Sequence, residues 1–282
     1  MRVIKSCWRW LPAAALGLAC LMPDPVARVH AGEVAASLDN GVLTLVGSAD
    51  PDALLITGGP NIVVVTALGE TRFPSMGRRG SRVLTFRDVT GVTFDGLSGD
   101  DSLNVFADLA SLEFLGGDDH DSLFAVVGAA DILHVDAGAG SDNLYVSATA
   151  AALTMDLGPD NDAATISNST LGMLTISDAG GNDTVLLSLV EGLPEEGMAL
   201  SMSLDDGDDQ VVFQRCNIVS PDPMTPALLD GGLEDSDQLG QIESQFTPAP
   251  TISEFEIVIG FDPPPPPPPP LRASQRRNRW WE

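Results

Sequence analysis

Cysteine, aromatic residues and basic side chains are all scarce in this chain of 282 residues. Of its three cysteines, Cys7 and Cys20 lie in the first twenty residues and only Cys216 lies beyond them. A disulfide framework is therefore excluded for an exported chain, and Cys216 reads as a small buried hydrophobe. Aromatics make up 5% of the residues, with one tyrosine, which argues against a stacking platform or an aromatic sugar cleft. Lys and Arg number 14 against 40 Asp and Glu, for a formal net charge of −26. Contact with a nucleic-acid backbone needs bases clustered on one face, and docking on anionic lipid needs the same. Past residue 31 no apolar run approaches the length needed to span a bilayer. Convincing helical periodicity is also missing. What is present is a chain that can bury a core: 44% of residues are hydrophobic and only 19% charged. It is unlike the highly charged, weakly apolar sequences that stay disordered.

The two ends differ from the middle. Arg2, Lys5 and Arg9 precede an apolar run from Leu11 to Met22, and Val29-His30-Ala31 puts small residues at the −3 and −1 positions of a cleavage site. This pattern predicts a secretory signal peptide over 1–31. A lipoprotein signal using Cys20 ranks second, because Gly17 stands where a large aliphatic is usual. Loss of 1–31 removes four bases and one acid, taking the charge from −26 to −29. The protein is then expected outside the cell or at its surface. At the other end, Pro263 to Pro270 is an unbroken proline run, followed by Arg272, Arg276, Arg277, Arg279 and Trp280-Trp281. Proline runs form stiff polyproline II and cannot join a sheet. Three readings of 263–282 stay open: a disordered tail, a spacer presenting an Arg/Trp patch to an anionic polymer or lipid, or a segment that docks on the chain's own acidic body.

Between the ends a short phrase recurs: glycine-rich, then Asp, one residue, and an aliphatic. It reads Gly96-Leu-Ser-Gly99-Asp-Asp101-Ser-Leu103, Gly116-Gly117-Asp-Asp-His-Asp121-Ser-Leu123 and Gly138-Ala-Gly140-Ser-Asp142-Asn-Leu144. Copies around Asp162, Asp183, Asp209 and Asp237 continue it, and Gly47 to Leu54 is an outlying copy. The aspartates step by 20, 21, 20, 21, 26 and 28 residues. Insertions at Glu191–Gly197 and Ser220–Thr225 account for the last two steps. From Asp88 to Asp262 there are 33 acids and one base, Arg215. Arg72, Arg78, Arg79, Arg82 and Arg87 crowd the stretch before it, which reads as a solvated excursion that could also pair with nearby acids.

Each repeat carries two strand-like segments. One precedes the phrase, as in Val92-Thr-Phe94, Leu112-Glu-Phe114, Leu133-His-Val135 and Leu174-Thr-Ile176. The other follows it, as in Leu103-Asn-Val105, Leu144-Tyr-Val146, Val185-Leu-Leu187 and Val211-Val-Phe213. Apolar residues alternate with polar ones, the period of a strand with one buried face. Two strands and two turns in about 20 residues predict one coil of an all-β parallel β-solenoid or β-roll, whose coils must stack to bury their apolar faces. At roughly 4.8 Å per coil the regular section is a rod about 35 Å long. The expected organisation is a signal peptide (1–31), an N-terminal β segment and cap (32–90), the Gly/Asp-repeat solenoid (91–262, with Ile252 to Phe261 as a last, closing strand) and the polyproline and basic Trp tail (263–282).

Glycine and aspartate suit turns: glycine supplies positive φ, and Asp bonds its own backbone. Stacking is harder to explain. Equivalent aspartates one coil apart repel by roughly 0.8 kcal/mol in water and about 3 kcal/mol at an effective dielectric of 20. Six such pairs cost on the order of 5–20 kcal/mol, comparable to the stability of a domain. The ladder is tolerable if the carboxylates splay into solvent or if hard cations sit between coils; calcium takes six to eight oxygens from carboxylates and carbonyls.

The phrase resembles the RTX, or haemolysin-type, calcium-binding nonapeptide, Gly-Gly-x-Gly-x-Asp-x-aliphatic-x. The resemblance covers about 94–240. It implies a parallel β-roll binding several Ca²⁺ ions, with Asp101, Asp121, Asp142, Asp162, Asp183, Asp209 and Asp237 as carboxylate ligands. Carbonyl ligands would come from Gly99, Gly117, Gly140 and Gly181, with matches also at Gly96, Gly116, Gly138, Gly158 and Gly207. The chain departs from the family in having one phrase per coil rather than two, and in placing Asp119, Asp160 and Asp235 where a glycine is usual.

Catalytic constellations are absent from the sequence: no Cys/His metal cluster, nucleophile elbow or phosphate-cradling Gly-Lys-Ser/Thr motif occurs. His134 alternates with Leu133 and Val135 and should face outward; His120 sits in an acidic turn, solvated or touching a metal. The sequence thus predicts a secreted calcium-stabilised structural or adhesive surface module without catalytic activity. Its partner would be a cell-surface or matrix polymer. The alternative is a β-helix carbohydrate-active enzyme, a polysaccharide hydrolase or lyase; a lyase would need bases beside its acids, and the repeats offer only Arg215.

Overall fold

The computed structural model describes residues 32–260, except 60–61, 75–79, 195, 223, 233–235 and 256. The signal peptide over 1–31, the tail over 263–282, Arg78, Arg79 and Asp235 lie outside the described residues. The first strands are β1 (Ala35–Asp39), β2 (Val42–Val46), β3 (Ala53–Gly59), β4 (Ile62–Ala67) and β5 (Val83–Arg87). The central ones are β6 (Gly91–Asp95), β7 (Ser102–Ala107), β8 (Ser111–Asp118), β9 (Ser122–Ala139), β10 (Asn143–Asp156) and β11 (Ala163–Ser177). Then follow β12 (Thr184–Gly192), β13 (Ala199–Ser203), β14 (Gln210–Gln214), β15 (Asn217–Val219) and β16 (Leu228–Asp230). The last are β17 (Gln238–Ile242), β18 (Gln245–Thr247), β19 (Thr251–Ser253) and β20 (Ile257–Ile259). No helix occurs among the described residues, and the fold is all-β with mostly parallel pairing.

Apart from β1, β4 and β5, the strands pair in parallel with their equivalents in a neighbouring repeat. After the repeated aspartates, β3, β7, β9, β10, β11, β12, β14 and β17 form one parallel ladder, which β20 extends. Before each glycine-rich turn, β2, β6, β8, the second halves of β9, β10 and β11, then β13, β16 and β19 form another. Alternation decides which side chains are buried. The first ladder buries Leu103, Leu123, Leu144, Val185 and Val211 in one column and Val105, Val146, Ile166, Leu187 and Phe213 in the next. Columns from the second ladder face them: Leu112, Leu133, Leu153 and Leu174 beside Phe94, Phe114, Val135, Met155 and Ile176. The Phe94 and Phe114 rings stack at 5.8 Å within this core. His134 points away from it, between buried Leu133 and Val135.

Three features differ from the two-strand repeat expected. A third, shorter side joins the two, seen where β15 pairs with β12 and β18. The Arg-rich stretch is not wholly an excursion: β5 pairs antiparallel with β4, which pairs antiparallel with β3. Arg72 and Arg82 there donate to backbone carbonyls, of Gly69 and Thr71 for Arg72 and of Gly69 for Arg82. The segment 252–261 is not one closing strand either. It contributes β19 and β20, each paired in parallel with the preceding repeat on a different ladder.

Candidate metal centre

Each glycine-rich turn ends on an aspartate whose side chain turns inward. Asp52, Asp101, Asp121, Asp142, Asp162, Asp183, Asp209 and Asp237 are all buried, at most 3% exposed. The carboxylates therefore do not splay into solvent. The amide of Asp52 donates to Asp101 Oδ1 at 2.7 Å, and that of Asp101 to Asp121 Oδ1 at 2.7 Å. The same bond links Asp121 to Asp142, Asp142 to Asp162 and Asp162 to Asp183, each at 2.6 Å. It then links Asp183 to Asp209 at 2.7 Å and Asp209 to Asp237 at 2.8 Å. One carboxylate oxygen per repeat thus satisfies an amide that the turn takes out of the sheet. All seven predicted aspartates stand in this one ladder, and Asp52 of the outlying copy joins it.

The neighbouring residue does the reverse. His120 N–H donates to Asp100 Oδ1 at 3.2 Å, and Ser141 N–H to His120 Nδ1 at 2.8 Å. Further along, Asn182 N–H donates to Asn161 Oδ1, Asp208 N–H to Asn182 Oδ1 and Ser236 N–H to Asp208 Oδ1. In four turns (120–121, 141–142, 182–183 and 208–209) two consecutive amides therefore point in opposite directions along the stack, one met by an inner ladder and one by an exposed outer ladder. His120 is an acceptor in the outer one.

Glycine is required here by both φ and close approach. Gly99, Gly140 and Gly181 have φ of 97°, 131° and 153° and share a column with Asp119 and Asp160, at 81° and 84°. Asp is among the few other residues that enter this region, which explains its replacement of glycine. Gly117 belongs to a different column, with Leu97, Gly138 and Gly158, so the four predicted carbonyl positions do not line up. A Cβ on Gly138 would run into the carbonyl oxygen of Gly117.

The second carboxylate oxygen is the chemical anomaly. Oδ2 of Asp101, Asp121, Asp142, Asp162 and Asp183 is buried with no hydrogen-bond partner. Burial, opposed by the bond from the preceding repeat's amide, pushes Asp142 up to about 6, Asp121 and Asp162 to about 7, and Asp101 to about 8. Neighbouring aspartates push Asp101, Asp121 and Asp162 further, while His120 opposes the rise at Asp142. Asp183 rises to about 8, through burial first and then through the Asp178 carboxyl facing it. Uncompensated buried charge must acquire a proton or a cation.

Asp178, which the sequence did not single out, lies five residues before Asp183. The register puts Gly47, Gly96, Gly116, Ala137, Leu157, Asp178, Leu204 and Gly231 in one column. Asp178 is buried at 7% exposed between the fully buried Leu157 and Leu204. One of its oxygens accepts the Gly180 amide at 2.9 Å; the other, Oδ1, has no hydrogen-bond partner. Carboxylate oxygens of Asp162, Asp178 and Asp183 all lie within 4.8 Å of one another. At that separation each pair of charges repels by about 3 kcal/mol at an effective dielectric of 20. An oxygen-only, anionic, buried cluster suits a hard divalent cation. Nothing in the repeated phrase marks Asp178; the signal is an acid at a column otherwise glycine, alanine or leucine, visible only once the register is known.

An open groove of about 350 Å³ lined by Gly58, Phe106, Asp108, Val126, Ser147 and Asn168 holds one carboxylate. Beside it Phe106, Phe124 and Tyr145 gather on the outer face of the first ladder, with ring centroids 5.5 and 4.5 Å apart. Phe124 and Tyr145 are within 5° of parallel, so one face of each covers the other. That is a cross-strand stack. No family model, no curated protein and no solved structure matches the chain, so the acidic cluster stands on its own geometry.

Proposed function

We propose that the chain is a secreted, calcium-stabilised structural or adhesive surface module, wound as a β-solenoid and without catalytic activity. The observation that carries this reading is the inner ladder: stacked, buried aspartates that each spend one oxygen on a backbone amide, five of which leave the other oxygen without a partner. Calcium between repeats neutralises those oxygens, with Asp101, Asp121, Asp142, Asp162, Asp183, Asp209 and Asp237 as carboxylate ligands and turn carbonyls completing the shell. The RTX-like phrase and the leader-like N-terminus support the same picture. Extracellular calcium sites are typically weak, with Kd about 10⁻⁴–10⁻³ M, so the ions would bind after export and stiffen the rod there. Binding to the folded state alone adds stability by mass action, about 0.4–1.4 kcal/mol per site at a one- to tenfold excess over Kd, summed over several sites.

The test is thermal melting of the full chain by circular dichroism, in excess chelator, in millimolar Ca²⁺ and in millimolar Mg²⁺. Calcium is expected to raise Tm by at least about 5 °C, since 1 kcal/mol is about 2–4 °C for a domain of this size. Superimposable melts in chelator and calcium would leave the aspartates as turn residues only.

A further inference from the structure

We infer that Asp162, Asp178 and Asp183 form one discrete, higher-affinity site for a hard divalent cation, distinct in composition from the other levels of the ladder among the described residues. The inference deepens the calcium reading above but does not need the rest of the ladder to be occupied. Asp178 lies outside the repeated phrase and adds a third carboxylate; among the described residues this is the one place where three acids bring their oxygens so close. Its oxygens and those of Asp162 and Asp183 converge within 4.8 Å. All three side chains are more than nine-tenths buried, and each has an oxygen with no hydrogen-bond partner. A carboxylate between two buried leucines gains nothing from packing, and the column shows that glycine, alanine and leucine all fit the position. A proton shared between Asp178 and Asp183 neutralises one charge of three; a divalent cation neutralises two and occupies the orphaned oxygens together.

Calorimetric titration of the chelator-stripped full chain with CaCl₂ at about pH 8, with MnCl₂ and MgCl₂ in parallel, tests the site. Two variants accompany it: Asp178→Leu, the residue of both flanking repeats, and Asp178→Asn, which keeps an acceptor for the Gly180 amide. Both variants are expected to fold in chelator, with Asp178→Leu at least as heat-resistant as the unmodified chain. Both should lose the tightest cation-binding step, by at least about tenfold in Kd. If the unmodified chain binds one ion and Asp178→Leu none, this site stands and the ladder-wide calcium reading falls. If the chain binds several ions and both variants bind as many with equal affinity, the ladder reading stands and this site falls. A chain that binds no divalent cation overturns both. One measurement needs no variant: substoichiometric Mn²⁺ should broaden the amide resonances of 158–162 and 178–183 before those of 96–101. Even broadening along the ladder would contradict a discrete site.

Discussion

A ladder aspartate serves two different ends with its two oxygens. Oδ1 accepts an amide from the previous repeat, a task asparagine could perform. Oδ2 has no such task at Asp101, Asp121, Asp142, Asp162 and Asp183, and its burial is what lifts these groups to between about 6 and about 8. The direction fixes a pH dependence. The unfolded value is 3.8, so the folded chain holds these protons more tightly than the unfolded one. Their contribution to stability is complete below the unfolded value and disappears as pH rises through about 6 to 8. In chelator, Tm should therefore climb as pH is lowered from about 8.5 to about 5.5. A cation competes with those protons, so the increment from calcium should be largest at the alkaline end and shrink towards the acid one. Melts in chelator that fall on acidification across this window would show that the inner carboxylates keep their charge without help. The ladder's membership was readable from the sequence because the Gly/Asp phrase recurs, at nearly constant spacing from Asp101 to Asp183. Its environment was not: whether an Asp beside glycine faces solvent or core depends on the turn's φ angles, and the column holding Gly99, Asp119, Gly140, Asp160 and Gly181 looks irregular until those angles are known.

At the scale of the strand, alternation made both long ladders legible, since each buries every second residue for at least one full segment. The third side escaped because its strands are short, three residues in β15 and β18, too few to show a period. Its corner escaped for another reason. The residues that turn it are Asn168, Leu189, Arg215 and Glu243, with φ of 49°, 57°, 54° and 53°. None is glycine, so composition gives no cue. Arg215 and Glu243 pair across this corner at 2.8 Å, but both are exposed, and such pairs contribute little. Leu189 is the least suited of the four: a left-handed conformation is costly for a residue that cannot bond its own backbone, and its side chain is 45% exposed. Asn168 holds the equivalent place one repeat earlier, between Ser167 and Ser169 as Leu189 stands between Ser188 and Val190. Leu189→Asn should stabilise the chain by about 0.5–1 kcal/mol, read as a higher urea midpoint at unchanged slope. A lower midpoint would mean that the leucine's partial burial outweighs its backbone strain.

Among the described residues, the two ends of the stack are unlike. At the N-terminal end the first strands of both ladders are covered by antiparallel partners, β1 on β2 and β4 with β5 on β3. In the last repeat β18, β19 and β20 pair on one side only among the described residues, each three residues long. Phe246, Ile252 and Phe255 reach only partial burial there. The middle is different again: β9, β10 and β11 run for 18, 14 and 15 residues and are paired on both sides. In a stack where each repeat touches only its neighbours, stability is a sum of local terms and the ends open before the middle. Amide exchange of the full chain should therefore be fastest in β18–β20, slower in β1–β5 and slowest in β9–β11, a gradient rather than a single cooperative value. Calcium adds a second expectation. If the cluster of Asp162, Asp178 and Asp183 takes a cation, the extra protection should centre on β10, β11 and β12 and fade outward, because a bound ion joins the turns it touches and reaches other repeats only through their neighbours. Protection of β18–β20 as strong as that of β10 would instead show that the open edge is covered in the full chain, and equal slowing of every repeat by calcium would point to ions along the entire ladder.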